Sequence, residues 1–71
     1  MLHDLRIAIR DKLTIKLVYK DPQGEIRYRR VDPYKMTDKK LYGYCHLLKQ
    51  ETIFNLENVL SLQVTDVKYD Q

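Results

Sequence analysis

Nine residues in the first half of the chain, Arg27 to Lys35, combine dense positive charge with aromatic rings. The stretch reads RYRRVDPYK and holds three arginines, a lysine and two tyrosines. Arginine presents a planar fork that fits phosphate, and tyrosine can stack on a nucleobase. Because side chains alternate along a strand, we expect Arg29 on one side and Tyr28 with Arg30 on the other. Two interpretations stay open: a site for phosphate or nucleic acid, and a charged edge strand that resists aggregation.

The charge around this stretch is unevenly distributed along the chain. Residues 1–40 hold 11 Lys and Arg against 6 Asp and Glu, a net charge of +5, whereas residues 41–71 hold 2 against 4, a net of −2. Such asymmetry favours a basic face and an anionic partner, although a solvated surface is an alternative. Lys39 and Lys40 would add positive charge as flexible point charges, and Tyr44 could stack a base beside Tyr28 or simply pack.

Other kinds of chemistry have little support in the sequence. There is no Gly-rich phosphate loop and no nucleophile motif, and the acidic residues are scattered, so we expect no catalytic residue and no enzyme. Cys45 is the single cysteine, and His3 and His46 lack partners at metal-ligand spacing. We therefore expect neither a metal nor another cofactor.

Length and composition limit the organisation of the chain. With 71 residues, 44% apolar and 32% charged, we expect a single globular domain over residues 1–71. No apolar run approaches the roughly 18 residues of a membrane span, and no signal peptide is recognisable. A cytoplasmic protein is expected.

Hydropathy patterns predict one helix followed by short strands. The helix should cover residues about 4–12 with Asp4 as its N-cap. The strands should cover residues 13–20, 25–32, 41–49, 52–56 and 60–66, with a helical turn at 57–59. The sequence DPQG at 21–24 predicts a hairpin turn with a positive φ at Gly24. Pro33 should end the second strand, because it cannot donate to a ladder.

Five short antiparallel strands favour a small barrel over about residues 13–67, because closure removes exposed edges. The helical turn before the last strand is typical of SH3-like barrels, and the N-terminal helix indicates the Sm-like variety. We expect residues 34–40 to form an irregular connection and residues 50–51 a turn. The third strand should be covered on both faces. On the last strand, the alternation places Leu60, Leu62 and Val64 on one apolar face.

Three motifs in this order resemble the WYL domain family. They are RRVDP at 29–33, YGYCHL at 42–47 and IFNLENV at 53–59. The resemblance extends over nearly the whole chain. It implies an Sm-like barrel that senses ligands or binds nucleic acid in transcription regulators of bacteria or phage, often in anti-phage, CRISPR-linked or DNA-damage systems. In that family the barrel usually accompanies a DNA-binding domain, and we find no helix-turn-helix in these 71 residues.

The match to the family site is incomplete. The family's Arg-x-Val-x-Pro is present from Arg29 to Pro33, and its tyrosine at the end of the first strand is Tyr19. The Trp-Tyr-Leu triplet that names the family falls on residues 39–41, where this chain has lysine, lysine and leucine. Thr52 and Asn58 occupy the positions of two family arginines. The departures affect the ligand site rather than the fold.

The residues and the resemblance together predict a non-enzymatic regulatory module that binds a nucleotide or a single-stranded nucleic acid. The phosphate would be held by Arg29 and Arg30, with charge from Lys39 and Lys40 and stacking from Tyr28 or Tyr44. One alternative is a protein-interaction module that forms homo-oligomers or accompanies a larger transcription regulator, and a third possibility is a fragment of a longer regulator. No membrane partner is expected.

Overall fold

The computed structural model describes residues 1–69, which form one helix followed by five antiparallel strands. The elements are α1 (Leu2–Asp11), β1 (Leu13–Lys20), β2 (Ile26–Met36), β3 (Lys40–Cys45), β4 (Gln50–Asn55), a 3-10 turn (Leu56–Asn58) and β5 (Val59–Lys68). The strands pair in the order β4-β3-β2-β1-β5. This mostly-β architecture with an N-terminal helix confirms the predicted fold class, but the sheet is open in the described part of the chain, because β4 and β5 are its edges and do not pair to close a barrel. No helix within residues 1–69 is long and apolar enough to cross a membrane.

The sheet curls, so that strands that are not neighbours still meet. β1 and β4 are separated by β2 and β3, yet the rings of Tyr19 and Phe54 lie 5.1 Å apart in a T-shaped arrangement. The inner face of the curled sheet and one side of α1 share a single core. Its buried members are Leu5, Ala8, Ile15, Leu17, Val31, Leu41, Phe54 and Leu56. Phe54 and Leu56 therefore both point inward.

The helix begins earlier than the sequence suggests, so the assignment of Asp4 as its N-cap is wrong. The Leu5 N–H already donates to the Met1 carbonyl at 3.1 Å, and Met1 occupies the N-cap position without a side-chain cap. Asp4 lies instead in the first turn, where a negative charge interacts favourably with the helix dipole. Leu5 and Ala8 are buried, which docks α1 on the sheet.

Pro33 does not end β2, which continues to Met36. The ladder between β1 and β2 stops at the pair Ile15↔Val31, whereas β2 pairs with β3 beyond that point. The Pro33 carbonyl accepts a hydrogen bond from the Tyr69 hydroxyl. Pro33 therefore lies beyond the end of the β1 ladder, where β2 pairs only with β3. The absence of its N–H consequently breaks no hydrogen bond between strands. The predicted connection at 34–40 shrinks accordingly to residues 37–39.

β3 is shorter than predicted and is covered on one face only. It ends at Cys45, and residues 46–49 form a turn in which Lys49 has a φ of 56° and donates its N–H to the Cys45 carbonyl. Gln50 and Glu51, predicted as a turn, belong to β4. The residues of β3 alternate in burial: Leu41, Gly43 and Cys45 are buried, whereas Tyr44 is exposed.

β5 carries an irregularity that interrupts its predicted apolar face. Val18 pairs with Ser61 but the next residue, Tyr19, pairs with Val59, so Leu60 is an extra residue in the ladder. Leu60 is consequently 54% exposed, while Leu62 and Val64 keep their inward orientation and pack against the core. An extra residue of this kind is a β-bulge, which reverses the alternation locally.

Candidate functional site

The alternation of β2 divides the arginine-rich stretch between the two faces of the sheet. Arg29 pairs with Leu17 of β1, which is buried, and it precedes the buried Val31 on the same face. Arg29 therefore belongs to the inner face and is partly buried. Tyr28 and Arg30 lie on the outer face and are exposed.

Arg29 is held in an unusual environment for a guanidinium group. Its Nη1 donates to the Tyr28 carbonyl at 2.9 Å. Its Nε is shielded from solvent and finds no hydrogen-bond acceptor within the part of the chain that the structure describes. A buried donor without an acceptor costs about 1–3 kcal/mol. The arrangement leaves Arg29 able to donate to a group that the chain itself does not supply.

The outer face brings together three of the other residues that the sequence singles out. Tyr28 is 72% exposed and lies two residues from Arg30 on the same side of β2. The Arg30 carbonyl accepts the N–H of His46 at 3.0 Å. The His46 ring in turn packs edge-on against Tyr44 with centroids 6.0 Å apart. Tyr28, Arg30 and Tyr44 thus form one basic and aromatic surface, which we call the outer platform.

Lys39 and Lys40 lie apart from that platform. Lys40 begins β3, whereas the contact with Arg30 is made just beyond the other end of β3. The Lys40 Nζ donates to the Asn55 side chain at 2.8 Å. Both lysines line an open cavity of about 550 Å³ that also contains Leu2 and Leu56. The six predicted site residues therefore occupy three separate places.

A second, smaller cavity collects positions that the sequence does not show to be neighbours. Its volume is about 230 Å³, and its walls include Tyr19, Thr52, Phe54 and Asn58. Thr52 and Asn58 are the two positions at which the family resemblance places arginines. Their meeting with Tyr19 depends on the curl of the sheet, and no local sequence signal indicates it.

Asp32 anchors a polar cluster that the sequence analysis missed. Its Oδ1 accepts hydrogen bonds from the Thr14 hydroxyl at 2.6 Å and from the His46 Nε2 at 2.7 Å. The cluster joins β1, β2 and the turn after β3, and it fixes the turn that carries His46 against the outer platform. The partners are 18 and 14 residues from Asp32 in the chain, so sequence spacing alone could not reveal them.

An ion pair also organises charge at the β1–β2 turn. The Asp21 carboxylate accepts the backbone N–H groups of Gln23 and Glu25 and the Arg27 Nε, each at 2.9 Å. The Glu25 N–H is the largest cause of a lowered Asp21 pKa, and the Arg27 guanidinium acts in the same direction. Arg27 is thereby engaged by Asp21, whereas Arg29 is not.

Metal chemistry finds no support in the described residues. Across residues 1–69, no group of three or more His, Cys, Asp or Glu side chains is placed to hold a metal ion. Cys45 is completely buried in the sheet.

The fold and these sites define a small, curled β-sheet domain with an N-terminal helix and a half-buried arginine on its inner face. The profile of the WYL domain family matches residues 1–64. The chain therefore belongs to the WYL domain family, as the three motifs indicate. Membership supports a regulatory module of the kind found in transcription regulators rather than an enzyme.

A solved structure agrees with this assignment. The chain is similar to proteasome accessory factor B/C (PafBC) of Arthrobacter aurescens, with a TM-score of 0.83 and 28% sequence identity. The similarity covers 94% of this chain but 11% of that chain, so this chain corresponds to a small part of the larger protein. No curated protein matches the chain at a significant level.

Proposed function

We propose that this chain is a cytoplasmic regulatory module that binds an anionic ligand, either a nucleotide or a single-stranded nucleic acid. The observation that supports this most directly is the shielded Nε of Arg29, which lacks an acceptor among residues 1–69. A phosphate oxygen that displaced the side chains shielding this Nε would satisfy the N–H and interact with the positive charge at once. Arg27 lies on the same face of β2 but is paired with Asp21, and Arg30 lies on the outer face, so the charge available on the inner face is that of Arg29.

The remaining candidate residues would contact the rest of a nucleic-acid strand. Arg30 would hold a second phosphate from the outer platform, where Tyr28 and Tyr44 offer exposed rings for stacking. Lys39 and Lys40 would add long-range attraction from the far end of β3 without fixing the ligand's geometry. A mononucleotide would require only the phosphate contact at Arg29, whereas a single-stranded nucleic acid would contact residues on both faces of β2.

The salt dependence of binding tests the proposal. Fluorescence anisotropy with a labelled single-stranded oligonucleotide should give a dissociation constant that rises steeply with salt, because each phosphate contact releases counterions. The double variant Arg29→Ala, Arg30→Ala should bind more weakly and flatten the slope by about one to two units, since each contact contributes roughly 0.7–0.9.

A matched control removes the same charge from another surface. Arg6 and Arg10 lie exposed on α1, and the ion pair of Arg10 with Asp11 is on the surface, where such pairs contribute little stability. Arg6→Ala with Arg10→Ala should leave the slope nearly unchanged. Equal effects of the two double variants would mean that binding depends on overall charge and not on a site on β2. A β2 variant that binds as tightly as the parent protein would refute the proposal.

A second candidate function, a protein-interaction module, has its own support in β5. This outer strand carries no lysine, arginine or proline from Val59 to Val67, although such residues commonly guard an exposed edge. Leu60 and Val67 are 54% and 46% exposed. Pairing of β5 with another copy or with a larger regulator would cover them. Light scattering that shows only monomer at high micromolar concentration would contradict pairing between copies.

A further inference from the structure

The outer face of the β1–β2 strand pair holds two positive charges opposite each other. Lys16 of β1 lies directly opposite Arg30 of β2 in the antiparallel register, and both side chains are exposed. Directly opposite Cβ atoms are about 4.5–5.5 Å apart, and like charges in such a pair destabilise a sheet. The fold therefore brings two cations together although they repel each other.

The surroundings of this pair do not neutralise it. Asp32, two residues beyond Arg30 in β2, already accepts hydrogen bonds from Thr14 and His46. On the other side of Lys16, the opposite residue in β5 is the uncharged Gln63. Within residues 1–69, neither cation of the pair forms an ion pair with a carboxylate. An anion supplied by a ligand would relieve the repulsion.

An apolar and aromatic row lies beside the two cations. Val18 of β1 is directly opposite Tyr28 of β2, and both residues share the outer face with Lys16 and Arg30, because side chains two apart in a strand point the same way. Tyr28 is 72% exposed, so its ring is open to a stacking partner. Lys20, also exposed, follows on the same side of β1. A basic row is thus followed by an aromatic surface and then by a further cation.

We infer that Lys16 and Arg30 together hold one phosphate of a single-stranded nucleic acid on the outer face, with Tyr28 stacking on the adjoining base. Arg30 offers a planar fork to two phosphate oxygens, and Lys16 adds a flexible point charge from the neighbouring strand. A phosphate between them replaces one repulsion with two attractions. The succession of charge and ring suits a polymer in which phosphates alternate with stacking bases. An acidic peptide would supply the negative charge but no base for Tyr28, so nucleic acid is the favoured partner.

The inference rests on the proposed function, and a double-mutant cycle tests it separately. Lys16→Gln and Arg30→Gln should each weaken binding of a labelled single-stranded oligonucleotide at least about fivefold at low salt. Because both head groups contact one phosphate, the double variant should lose less affinity than the product of the two single losses. Its salt slope should fall by about 0.7, the value for one phosphate contact on a single strand. Without ligand, Lys16→Gln should not lower the urea midpoint, because the substitution removes a repulsion.

Two further variants locate the charge and the ring. Arg6→Gln with Arg10→Gln removes the same charge from the exposed side of α1 and should weaken binding by less than about twofold. Tyr28→Leu should weaken binding of the oligonucleotide at least about fivefold, because base stacking is lost. The same variant should bind a sugar–phosphate backbone without bases within about twofold of the parent protein.

The outcomes separate this inference from the proposed function. Unchanged binding by Lys16→Gln, or a loss no larger than that of the α1 control, would overturn the shared phosphate contact. A poly-glutamate peptide of equal charge that binds as tightly as the oligonucleotide would overturn nucleic acid as the partner of this face. If Arg29→Met binds like the parent while Lys16→Gln does not, the phosphate contact at Arg29 fails and the outer site stands. A parent protein that binds no oligonucleotide would refute both.

Discussion

Replacing Arg29 with methionine should stabilise the fold, although most substitutions of a partly buried residue do the opposite. The shielded Nε lacks an acceptor among the described residues, which costs about 1–3 kcal/mol. The Nη1 bond to the Tyr28 carbonyl contributes about 0.5–1.5 kcal/mol, and it would be lost. Methionine keeps an unbranched side chain that can fill the same space. The difference is a net gain of about 1 kcal/mol, or roughly 4–8 °C in Tm for a domain of this size.

Urea unfolding followed by circular dichroism measures this change without any ligand. Arg30→Met is the matched control, because Arg30 is exposed on the outer platform and should change the free energy of unfolding by less than about 0.5 kcal/mol. A loss of more than about 1.5 kcal/mol in Arg29→Met would exceed the contribution of the Nη1 hydrogen bond. It would mean that the guanidinium has a structural partner. Arg29→Met should also weaken oligonucleotide binding, and a stabilised variant that binds like the parent would refute the role of Arg29 as a ligand residue.

Four further outcomes follow from the structure. Gly43→Ala should destabilise by about 1–3 kcal/mol, because a Cβ there would lie 2.5 Å from Val31 Cγ1 and 2.8 Å from the Asp32 carbonyl oxygen; urea unfolding measures it. Gly24→Val should cost at least about 1 kcal/mol, because the φ of Gly24 is 82° and a Cβ added there would have no neighbour within 4 Å, so that only backbone strain would destabilise the fold; an unchanged urea midpoint would contradict this. The lowered Asp21 pKa means that its contribution to stability is present above about pH 3.9 and is lost as the pH falls through the lowered value. Asp21→Asn should therefore flatten the dependence of the urea midpoint on pH between about 2 and 5. Thr52→Arg with Asn58→Arg should tighten nucleotide binding at least about tenfold, or 1.4 kcal/mol, whereas arginines at Ser61 and Gln63 should not.

Local patterns predict the elements well where neighbouring signals agree. β1 occupies the predicted residues 13–20, because the alternating Leu13, Ile15, Leu17 and Tyr19 are followed by a turn sequence whose glycine has the required positive φ. The predicted end of β2 at Pro33 is wrong, because proline disrupts a strand only where a neighbouring strand would accept its N–H. The end of β3 was missed because Leu47 and Leu48, both exposed in the turn, have the hydropathy of a strand.

The candidate site was harder to predict than the fold for a related reason. Alternation correctly separates Arg29 from Tyr28 and Arg30, but it does not say which side faces the core. That depends on the register with β1, where Leu17 is opposite Arg29. The meeting of Tyr19, Thr52 and Asn58 depends further on the curl of the whole sheet. Strand register and curvature are set by packing over the full domain, so a linear motif does not contain them.

The energetic cost of the buried Arg29 N–H links the stability of this domain to the proposed binding of a ligand. A chain of 71 residues buries only about 60% of its unfolded surface, so its margin of stability is small. In such a domain an unsatisfied guanidinium N–H worth about 1–3 kcal/mol is a considerable fraction of the total. A ligand present at 100 times its Kd stabilises the folded state by about 2.7 kcal/mol, which is of the same size. Phosphate at Arg29 would therefore remove the penalty and tighten the inner face together. If the proposed function holds, ligand binding should be measurable as a gain in the stability of the domain.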